Sequence, residues 1–160
     1  MALRRGPVAV VALLATLILA VFVVQAGGIA HFVGSEDRAT VTITDGDEEL
    51  AVVDSEVADG SRERYTGLSD HESLAEDEGM LFVFENEDER SFVMRDMAFP
   101  LDILFIDADG RITTIHEAPT EEGSDLTSYR GEAKWVLEVN YGYADERGIE
   151  EGDRVDIEYR

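Results

Sequence analysis

Hydrophobic and polar positions divide the chain into two stretches with different rhythms. From Val8 to Val24, 17 residues carry no charge and Thr16 is the one polar side chain. Beyond Ser35 the rhythm changes to short apolar runs, rich in Val, Ile, Leu and Phe, interleaved with Asp and Glu at strand spacing. Thr40 to Thr44 alternates β-branched residues, Asp45-Gly46 supplies a tight turn, and Leu50 to Val57 returns as a second strand. Asp59-Gly60-Ser61 offers a cap for a helical turn through Arg62, Glu63, Arg64 and Tyr65, closed by Gly67. Met80 to Phe84, an acidic turn at Glu85 to Glu89, and Ser91 to Met94 follow. Leu101 to Asp107 and Arg111 to His116 flank Asp107-Ala108-Asp109-Gly110 as a hairpin. Pro119 to Gly131 reads as a looser segment before the strand Trp135 to Asn140. A short helix, Tyr143 to Arg147, stops at Gly148, and Gly152-Asp153 turns into the last strand, Val155 to Tyr159. About eight short strands and two short helices predict a mainly β domain, a sandwich or jelly roll.

The leading apolar stretch has two readings. A membrane span needs roughly 20 predominantly apolar residues, whereas the apolar region of a cleaved signal peptide is about 7–15 residues long. Val24-Gln25-Ala26 would serve as a cleavage site, leading to secretion after cleavage near Ala26. Length favours the uncleaved anchor, a single transmembrane helix over 8–29. Arg4 and Arg5 keep the start cytoplasmic by the positive-inside tendency and send the rest outside. The expected layout is a cytoplasmic basic start at 1–7, the span or leader at 8–29, a tether at 30–38 and an acidic β domain at 39–160. With no cysteine, neither a disulfide nor a cysteine-linked lipid anchor is available.

Charge sharpens the picture. All 36 acids and 11 of the 13 basic residues lie beyond residue 35, a formal charge of −25 on the outer domain. Lys134 is its one lysine. Such a field repels nucleic acid and anionic headgroups, so no nucleic-acid partner is expected. Brine, where the Debye length falls to ~3 Å at 1 M, screens the self-repulsion. Acid-rich, lysine-poor composition predicts a halophilic protein.

Five linked stretches carry a resemblance: Glu63-Arg64-Tyr65-Thr66-Gly67-Leu68, GMLFVF at 79–84, SFVMRDMAFPLDILFID at 91–107, VLEVN at 136–140 and GIEEGDRV at 148–155. In order and spacing the chain resembles the domain-of-unknown-function 192 family over roughly residues 52–159. The resemblance implies a compact, mainly β domain of jelly-roll-like architecture, often secreted or anchored behind an N-terminal signal, with no settled activity. Where the family commonly reads Phe-Trp-Met-Lys-Asn-Thr, this chain has Phe92-Val93-Met94-Arg95-Asp96-Met97. The change removes a stacking surface and exchanges one cation for another of different geometry.

Two acids stand out because they sit on apolar strands. Asp102 shares a strand face with Leu104 and Ile106, and Glu138 shares one with Val136 and Asn140. Burying either without a partner is costly, so each should have a dedicated one, with Arg64 and Arg95 the family-matched cations available. One reading is a polar pocket in which Asp102, Glu138 and Asn140 accept and Arg95 donates to a small polar ligand such as a sugar, with Arg64 and Met94 beside them. The other is a structural pairing in which Asp102 or Glu138 bonds Arg64 and the backbone of the neighbouring turn. A glycosidase pair would need the two carboxylates ~5–10 Å apart.

Other chemistry has weak support. Asp107-x-Asp109-Gly110 echoes a calcium loop but lacks the rest of it, and His31, His71 and His116 are widely separated, so neither metal nor cofactor is expected. Met80, Met94 and Met97 suit a soft metal cluster or, more ordinarily, core filling. No nucleophile elbow or phosphate loop is present. The leading expectation is a membrane-anchored, non-catalytic binding or accessory domain. A hydrolase using Asp102 and Glu138, or a structural envelope component meeting a protein partner, is the alternative.

Overall fold

The computed structural model describes residues 37–160. The expected basic start, the span or leader over 8–29 and most of the tether lie outside the described residues. Among the described residues, no helix is long and apolar enough to cross a membrane.

Seven strands and two short helices follow one another as β1 (Arg38–Asp45), β2 (Glu48–Ala58), α1 (Ser61–Thr66), β3 (Glu78–Phe92), β4 (Leu101–Ile106), β5 (Ile112–Ala118), β6 (Tyr129–Asn140), α2 (Tyr143–Arg147) and β7 (Arg154–Tyr159). They form one sheet in the order β5-β4-β6-β3-β2-β1-β7. The mainly β expectation holds, with a difference in architecture: instead of two stacked sheets, a single sheet curls until its edges meet. Arg111 and Arg154 form an antiparallel bridge, the Val155 N–H donates to the Gly110 carbonyl at 2.8 Å, and the Gly152 N–H donates to the Ile112 carbonyl at 2.8 Å. Gly110 permits the approach, since its φ is +75° and a Cβ there would lie 2.7 Å from the Val155 carbonyl oxygen.

Strand pleating gives this curled sheet an inner and an outer apolar face. The inner core draws on all seven strands, with Val41, Val53, Leu81, Leu104, Ile112, Leu137 and Val155 among its members, and α2 adds Tyr143 and Ala144. The outer core is built on β3, β4 and β6 from Met80, Phe82, Ile103, Phe105 and Val136, and is covered by Leu68 and Met94 from the connections. That cover has a topological cause. β2 and β3 pair in parallel, and a parallel pair requires a crossover. The crossover here contains α1, which ends over the outer face at Gly67. Gly67 has φ +52°, and a Cβ there would press on the Phe82 ring at 3.3 Å.

Three local expectations change. The acidic turn at Glu85 to Glu89 is part of a continuous β3, so the two strands expected around it are one. Its long partner β6 holds it extended, while four residues, Phe84 to Glu87, bulge opposite Lys134 between the pairs Val83–Trp135 and Asp88–Ala133. The end of the looser segment, from Tyr129 onward, is likewise the start of β6. At α1 the cap is Gly60 and contributes no side-chain hydrogen bond, with Ser61 already helical. The Asp107 hairpin is as expected: Asp107 Oδ1 accepts the Asp109 and Arg111 N–H groups, each at 2.9 Å.

Candidate functional site

Just three polar or charged side chains are buried among the described residues: Ser55, Asp102 and Glu138. Both acids picked out by their apolar strands are therefore interior, but they do not meet. Ile103 pairs with Glu138 across β4 and β6, and Asp102 pairs with Val139. Directly opposed residues project to the same face, and strand neighbours to opposite faces. Asp102 thus points to the inner side with Leu104 and Ile106, while Glu138 points to the outer side with Ile103 and Val136. The convergence expected of Asp102, Glu138, Asn140 and Arg95 on one site is corrected, and the sheet separates the two carboxylates of the supposed glycosidase pair.

Asp102 has the dedicated partner that its burial demands, and it is backbone rather than arginine. Its Oδ1 accepts the Gly142 N–H at 3.0 Å and its Oδ2 accepts the Ala144 N–H at 2.9 Å. These are orphan donors of the first turn of α2, whose N-cap, Gly142, has no side chain to satisfy them. Burial raises the Asp102 pKa, opposed by the two backbone hydrogen bonds and reinforced by Glu117 and Asp145. Asp102 is a structural cap delivered from another strand.

Glu138 is the contrasting case. It is 6% exposed, and its carboxyl makes no hydrogen bond or ion pair among the described residues. Burial alone pushes its carboxyl up to about 8, so at neutral pH it is largely the neutral acid. A side chain of this kind in a cleft is a marker of functional sites. It lines a cavity of about 390 Å³.

The rest of the cavity comes from three places: Arg64 and Tyr65 of α1, Phe82, Phe84, Arg90 and Phe92 of β3, and Val93, Arg95 and Met97 beyond it. Phe92 stands edge-on to Phe82, with ring centroids 4.9 Å apart, and to Phe84 at 6.5 Å. The guanidinium of Arg90 lies 4.1 Å from the Phe84 ring centroid and that of Arg64 lies 5.3 Å from it. Arg95 lies 4.2 Å from the Tyr65 ring centroid.

Backbone carbonyls lock all three arginines. Arg64 Nη1 donates to Asp59 O and, at 3.0 Å, to Val83 O. Arg90 Nε donates to Ala133 O at 3.3 Å, with Nη2 donating to Asn86 O. Arg95 Nη2 donates to Tyr65 O at 2.7 Å. The expectation that Arg64 or Arg95 would neutralise a strand-borne acid is corrected: carbonyls were nearer than carboxylates.

Two other candidates leave the site. Asn140 donates through Nδ2 to Ala75 O at 2.8 Å, tying down the crossover loop. Met94 is 1% exposed and fills the outer core, as does Met80. His116 is half-buried with its ring 5.6 Å from that of Phe105, and its Nε2 lies 2.8 Å from Arg130 O. Among the described residues, no three His, Asp or Glu side chains come together as a metal site. Sequence reasoning missed Arg90, which lay in the supposed acidic turn. It also missed the rings of Phe82, Phe84 and Phe92, although the alternation of Phe82 and Phe84 within GMLFVF was a signal for one shared face.

The family model DUF192, described as "Uncharacterized ACR", matches residues 41–157. No curated protein matches. Two solved structures are similar in sequence and fold. One, described as a candidate transcription regulator from Sinorhizobium meliloti 1021, is 31% identical with a TM-score of 0.68, covering 74% of this chain and 92% of its own. The other, a protein of unknown function from Novosphingobium aromaticivorans DSM 12444, is 33% identical with a TM-score of 0.68, covering 79% of this chain and 89% of its own. With its seven-stranded sheet, two short helices and a family match across nearly the whole described domain, this chain belongs to the DUF192 family.

Proposed function

We propose that the acidic domain is a non-catalytic binding or accessory module for a small polar ligand, held on the outer side of a halophile's cell membrane. The observation that carries the binding reading is Glu138, a buried carboxyl without a partner that opens onto a cavity walled by aromatic rings. A buried polar group left unpaired costs on the order of 1–3 kcal/mol, a cost that a ligand's hydrogen bond would remove. The cavity volume, about 390 Å³, suits one small molecule such as a single sugar.

Placement outside the membrane rests on the apolar stretch at 8–29 behind Arg4 and Arg5, and secretion after cleavage near Ala26 would deliver the same domain to the same side. The brine habitat rests on the charge of −25 beyond residue 35. That charge also argues against a nucleic-acid partner for this chain, whatever the role of the Sinorhizobium meliloti relative.

The test is thermal unfolding at high salt with a panel of neutral sugars, acidic sugars and cell-wall fragments, on the natural chain and on Glu138→Leu. At least one compound should raise the melting temperature of the natural chain, and the substitution should abolish the rise. No shift with any compound would remove the binding reading and leave a structural envelope component that meets a protein partner.

A further inference from the structure

The cavity holds three cations in a domain where cations are scarce. Beyond residue 35 there are 11 basic residues against 36 acids, and Arg64, Arg90 and Arg95 line this one space. None of the three makes an ion pair among the described residues, as Arg62, Arg111 and Arg154 also do not, while Arg38, Arg130, Arg147 and Arg160 do. Carbonyls and rings fix each guanidinium in place, and the remaining N–H groups of all three have no acceptor among the described residues. Arg64 and Arg90 both rest against one ring, Phe84. Rotamer freedom is therefore already lost before a ligand arrives.

We propose that the cavity selects a small molecule bearing a compact oxyanion, a carboxylate or phosphate, which Arg64, Arg90 and Arg95 hold while Glu138 hydrogen-bonds the ligand. This rests on the binding reading above and names the ligand class for the same site. An oxyanion presents the planar acceptor edge that a guanidinium matches, and such charge-assisted pairs are about twice as strong as neutral ones. The domain's negative field does not prevent it. At brine strength, fields beyond a Debye length of ~3 Å are screened, whereas contact pairs inside a cavity are screened much less.

Other charged and titratable groups bear on the cavity. Glu89 lines it from β3, but its Oε1 is paired with Arg130 at 3.2 Å. Tyr65 contributes a ring and a phenol from α1. Glu138 itself adds negative charge as pH rises through about 8, so anion affinity should fall across that range.

The test is calorimetric titration of the intact chain, kept in solution by detergent at high salt, with glucose, glucuronate and glucose 6-phosphate as matched probes. Glucuronate or the phosphate ester should bind at least about tenfold more tightly than glucose, the equivalent of one charge-assisted contact. Which of the two binds identifies the oxyanion. Arg64→Gln, Arg90→Gln and Arg95→Gln should each lower that affinity by about tenfold, with Arg62→Gln, outside this cavity, unchanged. Should an arginine variant fail to fold, displacement of the bound probe from the natural chain by inorganic phosphate gives the same answer. Glucose binding as tightly as both acids would overturn the anion inference while preserving the binding site. Binding by none of the three at any pH from 5 to 9 (about two units either side of neutral) would overturn it together with this ligand class.

Discussion

Asp102 and Glu138 lie on neighbouring strands, buried to nearly the same degree, yet the fold treats them oppositely. Asp102 looks inward and is saturated by two backbone N–H groups, 3.0 and 2.9 Å away, at the start of α2. Glu138 looks outward into a cavity and touches no donor among the described residues. Burial depth alone does not distinguish a structural acid from a functional one. The distinction lies in whether the fold itself supplies the hydrogen bonds. Asp102 completes a helix that would otherwise begin uncapped, while Glu138 leaves a requirement that another molecule can satisfy.

The largest expected effect is a titration that substitution assigns to Glu138. Glu138 moves from an ordinary 4.5 to about 8 on folding, so between those values the folded chain holds a proton that the unfolded chain releases. Stability at constant salt should consequently fall as pH rises from 4.5 to 8. The total is bounded at about 5 kcal/mol by ~1.4 kcal/mol per pH unit. Denaturant titrations across that range should show the decline, and Glu138→Gln should flatten it. A natural chain with no decline would mean that Glu138 has a partner and the contrast is false.

Next in size is Asp102→Ala, expected to destabilise by about 3 kcal/mol because two buried N–H groups lose a charged acceptor. Asp102→Asn, which keeps one acceptor oxygen, should cost less. Amide exchange at Gly142 and Ala144 should quicken in both variants, placing the loss at α2 rather than in the sheet. Glu138→Leu should do the reverse, raising stability by about 1–3 kcal/mol at pH above 8, where the natural chain buries an unpaired charge. The smallest change concerns Ser55, fully buried, whose hydroxyl has no hydrogen-bond partner. Ser55→Ala should be neutral or stabilising by under about 1 kcal/mol in the same denaturation assay. That outcome would show that an unpaired neutral group is tolerated where an unpaired charge is not.

Much of this fold was legible residue by residue. Alternation placed β1, short apolar runs bounded by turns placed β2, β4 and β7, Gly67 and Gly148 marked the ends of both helices, and Asp102 and Glu138 stood out as acids on apolar strands. What stayed hidden depended on partners distant in sequence. Periodicity tells which residues share a face within a strand, but not which face of β4 matches which face of β6. That register decided whether the two acids could meet. The acids between Phe84 and Arg90 looked like a turn because their extension is imposed by β6, not by their own propensity. Arg64 and Arg95 were recognisable as cations of consequence. Their acceptors, the Asp59, Val83 and Tyr65 carbonyls, leave no trace in a sequence, since every residue has one.

The first and last strands also lie beside each other: β1 is zipped to β7, and the Arg160 N–H donates to the Arg38 carbonyl at 2.8 Å. Topologically the described domain is almost a ring. A brief glycine-serine splice across that junction, with new termini opened in the exposed stretch near Gly123, would leave every ladder uncut. Such a circular permutant would present the arginine-lined hollow unchanged, freed from whatever precedes residue 37.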